Sequence, residues 1–317
     1  MSTYRENLPQ CGDTLFITDG GLELYMIFQK RVDLPYAGAF IMLENEADRE
    51  QLREYFRGFA DIARDNGVGL VMETATWRAN PAWGEKLGYS VEALEKLNAE
   101  AVKLNRGVRE EYAEDSVPIV ICGMIGPRGD GYVVGETMTP EEAESYHDMQ
   151  SRVFAQSGAD MIAAVTMTYV EEAIGAVRAA RKHAMPVAIS FTVETDGKLP
   201  CGLDVKDAIE QVDAATDAYA AYYMINCAHT THFDKLLASD APWIGRLGGI
   251  QPNASPKSHA ELDESEELDP GDPTDLARRS AELHARLPAL HVMGGCCGTD
   301  HTHIEAICKA CLTERSE

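Results

Sequence analysis

The sequence predicts an α/β protein, a (β/α)8 TIM barrel that forms a single domain over residues 1–317. Short apolar, β-branched segments alternate with longer segments of helical spacing. Eight such strand–helix units fit into 317 residues, and no internal repeat or low-complexity linker divides the chain. The alternative is an open doubly wound sheet, which usually carries a glycine-rich phosphate-binding turn after its first strand. The segment DGGLEL does not have that pattern.

Each strand candidate is a short apolar run bounded by polar residues or glycine. In chain order the candidates are residues 15–19, 68–73, 117–122, 160–166, 186–191, 221–226, 243–247 and 290–293. The clearest helix signal lies between the third and the fourth of these strands. There Thr139 is a candidate N-cap, Pro140 takes the first helical position and Gly158 follows the last helical residue. Residues 90–115 also have helical spacing, and a terminal helix is expected to start after Asp300.

Two long loops follow predicted strands. Residues 126–138 follow the third strand, and residues 251–273, which are acidic and rich in proline, follow the seventh. In a barrel both emerge at the C-terminal face, where active sites of this fold lie. Long loops also occur without a function, so an ordinary surface role stays open for both.

The formal net charge of -24 argues against nucleic acid and anionic membranes as partners, because both are themselves negatively charged. Solubility is the simplest explanation of this charge, and attraction of cationic substrates is the alternative. The sequence shows no secretory signal and no apolar run long enough to span a membrane. We therefore expect a cytoplasmic protein whose 8 cysteines are free thiols or metal ligands. The oligomeric state is not predicted.

Three cysteines predict a zinc site. Cys296 and Cys297 lie between glycines in the segment 294–298, directly after a strand candidate. Adjacent strand residues point to opposite faces, so both reach one ion only if the backbone bends, and the flanking glycines permit that bend. Cys227 follows the sixth strand, and the ends of strands six and eight lie about 10 Å apart along a sheet. Three thiolates leave one position of a tetrahedral zinc open, as in catalytic sites.

Other arrangements of these residues remain open. Cys308 and Cys311 would complete a structural site of four cysteines, but they fall in the predicted terminal helix, away from the strand ends. Buried free cysteines are also common without any metal. The nearby histidines are interpreted as helix-start or surface residues, not as ligands: His229, His232, His301 and His303.

Taken together, six segments resemble the zinc-dependent homocysteine S-methyltransferase family. They are residues 19–23, Glu73-Thr74, 123–132, 190–202, 226–229 and 294–298, in the same order along nearly the whole chain. The resemblance implies a barrel fold and zinc held by Cys227, Cys296 and Cys297. It also implies methyl transfer to homocysteine, giving methionine, from a sulfonium or ammonium donor such as S-methylmethionine or a betaine.

By matching position, the resemblance implies that Asp19 binds the ammonium of the acceptor and that the Gly20 and Gly21 amides meet its carboxylate. We expect catalytic roles for Asp19, Glu73 and Asn226. The expected substrate-binding residues are Asp19, Gly20, Gly21, Glu44, Glu73, Thr74, Thr166 and Tyr169. Aromatic faces at Trp77, Trp83 and Tyr169 are candidates for holding the donor cation.

The fourth strand departs from the family pattern. Members usually end this strand in Glu-Thr, and that glutamate binds the amino group of homocysteine. Here residues 164–169 carry no carboxylate, and the next one is Glu171. Two alternatives follow: Asp19 and Glu73 suffice for homocysteine, or the reaction is methylation of another thiol or demethylation of an osmolyte cation. A non-catalytic zinc-binding or redox-sensing barrel is the more distant alternative. Trp77 and Arg78 also stand where members often have other side chains, so the donor pocket is expected to differ.

Overall fold

Eight parallel strands close into a barrel in the order β1 to β8, as the sequence predicts. The computed structural model describes residues 2–238, 241–265 and 267–314. The strands are Phe16–Thr18 (β1), Gly69–Glu73 (β2), Ile119–Ile125 (β3), Met161–Met167 (β4), Val187–Thr192 (β5), Tyr222–Asn226 (β6), Leu247–Gln251 (β7) and Val292–Met293 (β8).

Helices follow the strands and form the outer layer of the barrel. They are Leu22–Leu24 (α1), Glu46–Asn66 (α2), Pro81–Leu87 (α3), Val91–Glu111 (α4), Pro140–Ser157 (α5), Val170–Lys182 (α6), Val205–Thr216 (α7), Thr230–Phe233 (α8), His259–Asp263 (α9), Pro273–Arg286 (α10) and His301–Glu314 (α11). Shorter 3-10 and π-helical turns lie at Pro9–Cys11, Tyr25–Gln29, Pro35–Ala37, Ala39–Glu44 and Pro242–Arg246. Among the described residues, none of the helices combines the length and the apolar character that crossing a bilayer requires.

The predicted boundaries of α5 are confirmed. The Thr139 hydroxyl accepts from the Glu142 amide, and the Glu142 carboxylate accepts from the Thr139 amide, so two amides at the helix start are satisfied. Pro140 takes the first helical position, and Gly158 ends the helix with a φ of 86°. The terminal helix is confirmed as well, since α11 begins at His301.

The predicted seventh strand is wrong. Residues 243–246 belong to the 3-10 helix Pro242–Arg246, and β7 begins only at Leu247. Two glycines make β7 difficult to recognise in the sequence, because Gly is depleted in strands. Glycine is required here because neighbouring strands pack closely: a Cβ on Gly248 would lie 2.8 Å from the Tyr222 side chain, and one on Gly249 would lie 2.9 Å from Val292.

The N-terminal end of the barrel is closed by the segment that precedes β1. The Asp160 carboxylate, at the start of β4, accepts from the backbone amides of Thr3 and Tyr4 and also binds Arg109 at 2.8 Å. Leu8 packs into the apolar interior of the barrel. Access to the interior is therefore from the C-terminal face, where the candidate site lies.

Candidate metal centre

The three predicted metal ligands lie together at the C-terminal end of the barrel. The Sγ atoms of Cys227, Cys296 and Cys297 all lie within 4.8 Å of one another. Sulfur atoms around one tetrahedral zinc are about 3.8 Å apart, given a Zn–S distance of about 2.3 Å. The three thiols, once reduced, therefore match zinc in chemistry and in spacing.

Cys227 and Cys296 form a disulfide in this structure, with their Cα atoms 5.3 Å apart. The expectation that every cysteine is a free thiol or a ligand is therefore wrong for this pair. The cause is the bend after β6 and β8, which brings the two backbones into the range that a disulfide requires. Cys297 keeps a free thiol next to the pair.

The end of β7 brings the cysteine segments together. Cys227 donates its amide to the Gln251 carbonyl at 3.0 Å, and Cys296 donates its amide to the Pro252 carbonyl at 2.8 Å. The Asn253 side chain joins the two segments: its Nδ2 donates to the Cys227 carbonyl at 3.0 Å, and its Oδ1 accepts from the Cys297 amide at 3.1 Å. Strands six and eight are thus bridged through the strand between them.

The bend that the sequence predicts beside Cys296 and Cys297 is present at Gly298, which has a φ of 82°. Cys227 has a φ of 54°, a bend that the sequence does not predict and an unusual conformation for a residue with a side chain. Gly21 serves a different purpose, since a Cβ there would lie 2.6 Å from the Cys296 carbonyl oxygen. Glycine at this position therefore lets the end of β1 pack directly on the cysteine turn.

The alternative ligands lie elsewhere. Cys308 and Cys311 are buried in α11, and among the described residues neither lies close enough to the three thiols to share a metal ion with them. His229 caps the start of α8, where burial lowers its pKa to about 4. His232 contacts the Pro256 carbonyl, and His301 stacks on Phe59. The fourth candidate, His303, contacts the Asp300 carboxylate.

A cavity of about 370 Å³ opens beside the thiols. Both long loops wall it: Tyr132 comes from the loop after β3, and His259 and Asp269 come from the acidic loop after β7. The rings of Tyr132 and His259 lie 4.5 Å apart, so the two loops meet over the cavity. Glu266 of the acidic loop lies outside the described residues.

The Tyr132 hydroxyl reaches the sulfur cluster, lying 3.4 Å from Cys297 Sγ and 3.6 Å from Cys227 Sγ. Burial raises the pKa of the Cys297 thiol, and the hydrogen bond from Tyr132 opposes that rise. Burial also raises the pKa of Tyr132 itself. The tyrosine is therefore a neutral hydroxyl that contacts two of the three sulfurs.

Comparison with known proteins agrees with this geometry. The sequence model of the family described as homocysteine S-methyltransferase matches residues 16–311, which include β1 and all three thiols. The chain belongs to the homocysteine S-methyltransferase family. It is accordingly a methyltransferase, as the resemblance implies.

One relative is a selenocysteine Se-methyltransferase from Brassica oleracea var. italica. It is 24% identical over 78% of this chain and 76% of that protein. Homocysteine S-methyltransferase 2 from Arabidopsis thaliana is also 24% identical, over 78% of this chain and 80% of its own length. The metallated form of the homocysteine methyltransferase MmuM from Escherichia coli has the same fold, with a TM-score of 0.72 at 20% identity over 94% of this chain and 96% of that one. Its oxidised form also has a TM-score of 0.72 at 20% identity, over 93% and 95% of the two chains.

Five of the predicted substrate residues or catalytic residues line the cavity: Gly20, Gly21, Glu73, Thr166 and Asn226. The Gly21 amide already donates to the Thr299 carbonyl at 3.2 Å. Of the two glycine amides, the one at Gly20 is therefore the better candidate for contact with a substrate carboxylate.

Glu73 lines the cavity and forms a buried acidic pair with Asp19, which directly follows β1. Burial raises the pKa of Glu73 to about 7, although the Gln251 amide that donates to its Oε2 at 2.9 Å opposes the rise. Burial also raises the pKa of Asp19, and the neighbouring Glu73 adds to that effect. The Asp19 Oδ1 atom has no hydrogen-bond partner among the described residues. A cation placed here would relieve both the repulsion and the missing hydrogen bond.

Asn226 positions the end of the fourth strand. Its Oδ1 accepts from the Thr166 amide at 3.0 Å and from the Ser190 hydroxyl at 2.8 Å, while its Nδ2 donates to the Thr166 hydroxyl at 3.0 Å. Thr166 has a φ of 61° at the irregularity of β4, so the three bonds hold a strained residue in place. Asn226 therefore fixes the cavity wall at Thr166.

Four predicted site residues are not among those that line the cavity: Asp19, Glu44, Thr74 and Tyr169. Asp19 is buried behind the lining. Glu44 is exposed at the end of the 3-10 helix Ala39–Glu44. Thr74 is buried, and its hydroxyl is hydrogen-bonded to Thr76 at 2.6 Å. The Tyr169 hydroxyl accepts from the Met138 amide at 3.1 Å and so holds the loop after β3. Thr74 and Tyr169 closely follow predicted strands, but whether such a residue turns inward depends on the packing of each loop.

Sequence reasoning missed several lining residues, among them Glu23, Tyr132, Gln251 and Asn253. Tyr132 lies in a loop that the sequence singles out, and nothing in its neighbourhood distinguishes it from a surface tyrosine. Gln251 ends β7 and Asn253 follows it closely, which is a usable signal in a barrel. The sequence singles out the loop 251–273 as a whole but not these two residues within it.

Proposed function

We propose that the protein transfers a methyl group from a methylated sulfonium or ammonium donor to the sulfur of homocysteine, giving methionine, with zinc held by Cys227, Cys296 and Cys297. The observation that carries this proposal is the convergence of the three sulfurs at the wall of an acidic cavity. The names of the plant relatives and the metallated form of the bacterial homocysteine methyltransferase support it.

Three thiols are soft ligands that suit zinc, and three protein ligands are typical of catalytic zinc sites. Bound zinc would remove the proton from an incoming thiol near neutral pH. The disulfide between Cys227 and Cys296 occupies two of the three ligand sulfurs, so the reduced protein is the competent form.

The buried acidic pair accounts for recognition of the acceptor. Burial raises the pKa of both Asp19 and Glu73, and the charge of Glu73 adds to the rise at Asp19. The ammonium of an amino thiol placed between them would stabilise the ionised carboxylates and fix the direction of the substrate. Glu73 would thereby take over the task of the fourth-strand glutamate, which residues 164–169 of this chain lack.

In the methyl transfer, a lone pair of the acceptor sulfur forms the new carbon–sulfur bond. The bond between the methyl group and the donor sulfonium or ammonium breaks, and its electron pair stays on the leaving sulfur or nitrogen, which becomes neutral. The acidic lining, with Glu23, Asp263 and Asp269, favours the cationic donor. Trp77 offers an aromatic face in the same cavity.

The test uses reduced, zinc-loaded protein with S-methylmethionine or betaine as donor and mass spectrometry of the products. Homocysteine is compared with 4-mercaptobutyrate, which lacks only the amino group. We expect methionine from at least one donor, with kcat/KM for homocysteine about 10- to 100-fold above that for 4-mercaptobutyrate. Preference for 4-mercaptobutyrate would favour a different thiol acceptor.

Cys227→Ser tests the metal site, with Cys201→Ser as the matched control because Cys201 is exposed and free. We expect one zinc per chain in the wild type and the control, and loss of both zinc and product in Cys227→Ser. Zinc bound at full affinity by Cys227→Ser, or no methyl product with any donor, would contradict the proposal.

A further inference from the structure

Arg78 is an unusual residue for this cavity, whose other charged lining residues are mainly acidic. Its guanidinium carbon lies over two indole rings, 4.5 Å from the Trp77 centroid and 3.8 Å from the Trp83 centroid. Its Nη1 donates to the Tyr36 carbonyl at 2.5 Å. Stacking and this single tether fix the orientation of the group before any ligand binds.

The fixed guanidinium has unused donors. Arg78 Nε has no hydrogen-bond partner among the described residues, and the indole Nε1 of the neighbouring Trp77 also has none. Within the same part of the chain Arg78 forms no ion pair, although Glu23 and Asp130 lie close enough to influence its charge. Partial burial lowers the pKa of Arg78. A cation with unsatisfied donors, partly removed from water, is costly unless an anion is to be bound there.

The groups that act on the charge of Arg78 are not the same as those of the buried acidic pair. Glu73 acts on Asp19, whereas Asp130, Glu23 and Tyr132 act on Arg78, and Glu23 acts on both groups. Tyr132 in turn contacts the Cys297 sulfur. Arg78 and the sulfurs are thus both neighbours of Tyr132, and a donor bound along this residue would have its transferred methyl group toward the sulfurs and its remaining part toward Arg78.

From this arrangement we propose that Arg78 is a specificity-determining residue that binds a carboxylate on the methyl donor. This inference rests on the proposed function. The donor is then an onium carboxylate, with its cationic centre facing the acidic lining and its anionic end on the guanidinium. The planar donors of arginine match the two oxygens of a carboxylate, which a lysine or a neutral side chain does not reproduce.

The experiment compares each donor with its own methyl ester, which keeps the onium centre and neutralises the carboxylate. Binding of S-methylmethionine, betaine and the two esters to the reduced, zinc-loaded protein is measured by calorimetry, and methyl transfer to homocysteine is measured separately. For the wild type we expect at least one acid to bind about 10- to 100-fold more tightly than its ester. In Arg78→Met the acid and its ester should bind with about equal affinity, and Arg78→Lys should show a preference between those of Arg78→Met and the wild type.

Lys86→Met is the matched control. Lys86 Nζ also lies over the Trp83 ring, at 3.7 Å, but the residue is exposed and does not line the cavity. We expect Lys86→Met to keep the wild-type preference for the acid. A general loss of packing around Trp83 would lower the binding of acid and ester alike, whereas loss of a carboxylate contact changes their ratio.

The possible outcomes separate this inference from the proposed function. A wild type that binds ester as tightly as acid, or that binds neither, overturns the inference, as does an unchanged ratio in Arg78→Met. A ratio that collapses only in the Arg78 variants supports it. If that collapse is seen but no methyl product forms, the proposed function fails while Arg78 stands as a carboxylate-binding residue.

Discussion

Asn253 donates its side-chain amide to the backbone carbonyl of Cys227 at 3.0 Å. The other end of the same side chain accepts from the Cys297 amide at 3.1 Å. One buried residue at the end of β7 therefore holds both cysteine segments, which are about seventy residues apart in the sequence.

Asn253→Ala should weaken zinc binding about 10- to 100-fold, the usual range for a residue that supports metal ligands. The Cys227 carbonyl and the Cys297 amide would lose their partners, and the two segments would no longer be held at a fixed distance. Competition with a chromogenic chelator measures the affinity. Asn98→Ala is the control, since Asn98 is equally buried but bonds to Ala79 and Leu94. Equal zinc affinity in both variants would contradict the role of Asn253.

Tyr132→Phe should lower zinc affinity or the rate with homocysteine about 10-fold. The substitution keeps the ring that packs on His259 and removes only the hydroxyl that contacts the Cys297 and Cys227 sulfurs. Tyr219→Phe serves as the control, because the Tyr219 hydroxyl bonds to the Met185 carbonyl, and Tyr219 is not among the cavity-lining residues. Identical metal affinity and kinetics in the two variants would show that the Tyr132 hydroxyl only fills space.

Glu73→Gln should change how stability depends on pH. Burial raises the pKa of Glu73 from 4.5 to about 7, so between these values the folded protein binds a proton that the unfolded chain releases. The free energy of unfolding therefore falls as the pH rises from about 4.5 to about 7. We expect the melting temperature of ligand-free wild type to decline over this range by a few degrees more than that of Glu73→Gln.

The exposed Glu114 provides the comparison, since Glu114→Gln should keep the wild-type profile. Homocysteine should also flatten the wild-type decline if its ammonium binds at this carboxylate. Parallel profiles for the wild type and Glu73→Gln would contradict the raised pKa.

The oxidised protein should contain six reactive thiols after denaturation and the reduced protein eight, because Cys227 and Cys296 form a disulfide in this structure and the other six cysteines do not. Non-reducing peptide mapping should recover the peptide that joins these two residues. Zinc should bind only after the disulfide is reduced, because the disulfide makes two of the three proposed ligand sulfurs unavailable to a metal ion. Stoichiometric zinc in a sample that keeps the 227–296 disulfide would argue against these ligands.

The sequence by itself determined the barrel and singled out the three cysteines whose sulfurs the structure brings together. Alternating apolar and helical segments specify strand–helix units, and a barrel brings all strand ends to one face, so residues that follow strands are drawn together. The capping residues of α5 act locally, through bonds to amides three positions away, and for that reason its boundaries were predictable.

Only the tertiary structure decided which side chains turn into the cavity. The glycines of β7 are needed because Tyr222 and Val292 pack against them from neighbouring strands, a demand that does not show in the local sequence. Likewise, Glu44 and Tyr169 resemble site residues in sequence but face elsewhere, while Asn253 and Arg78 owe their roles to contacts with distant segments. Hydrogen bonds between loops and packing across the barrel depend on residues far apart in the chain, and this is why local patterns could not reveal them.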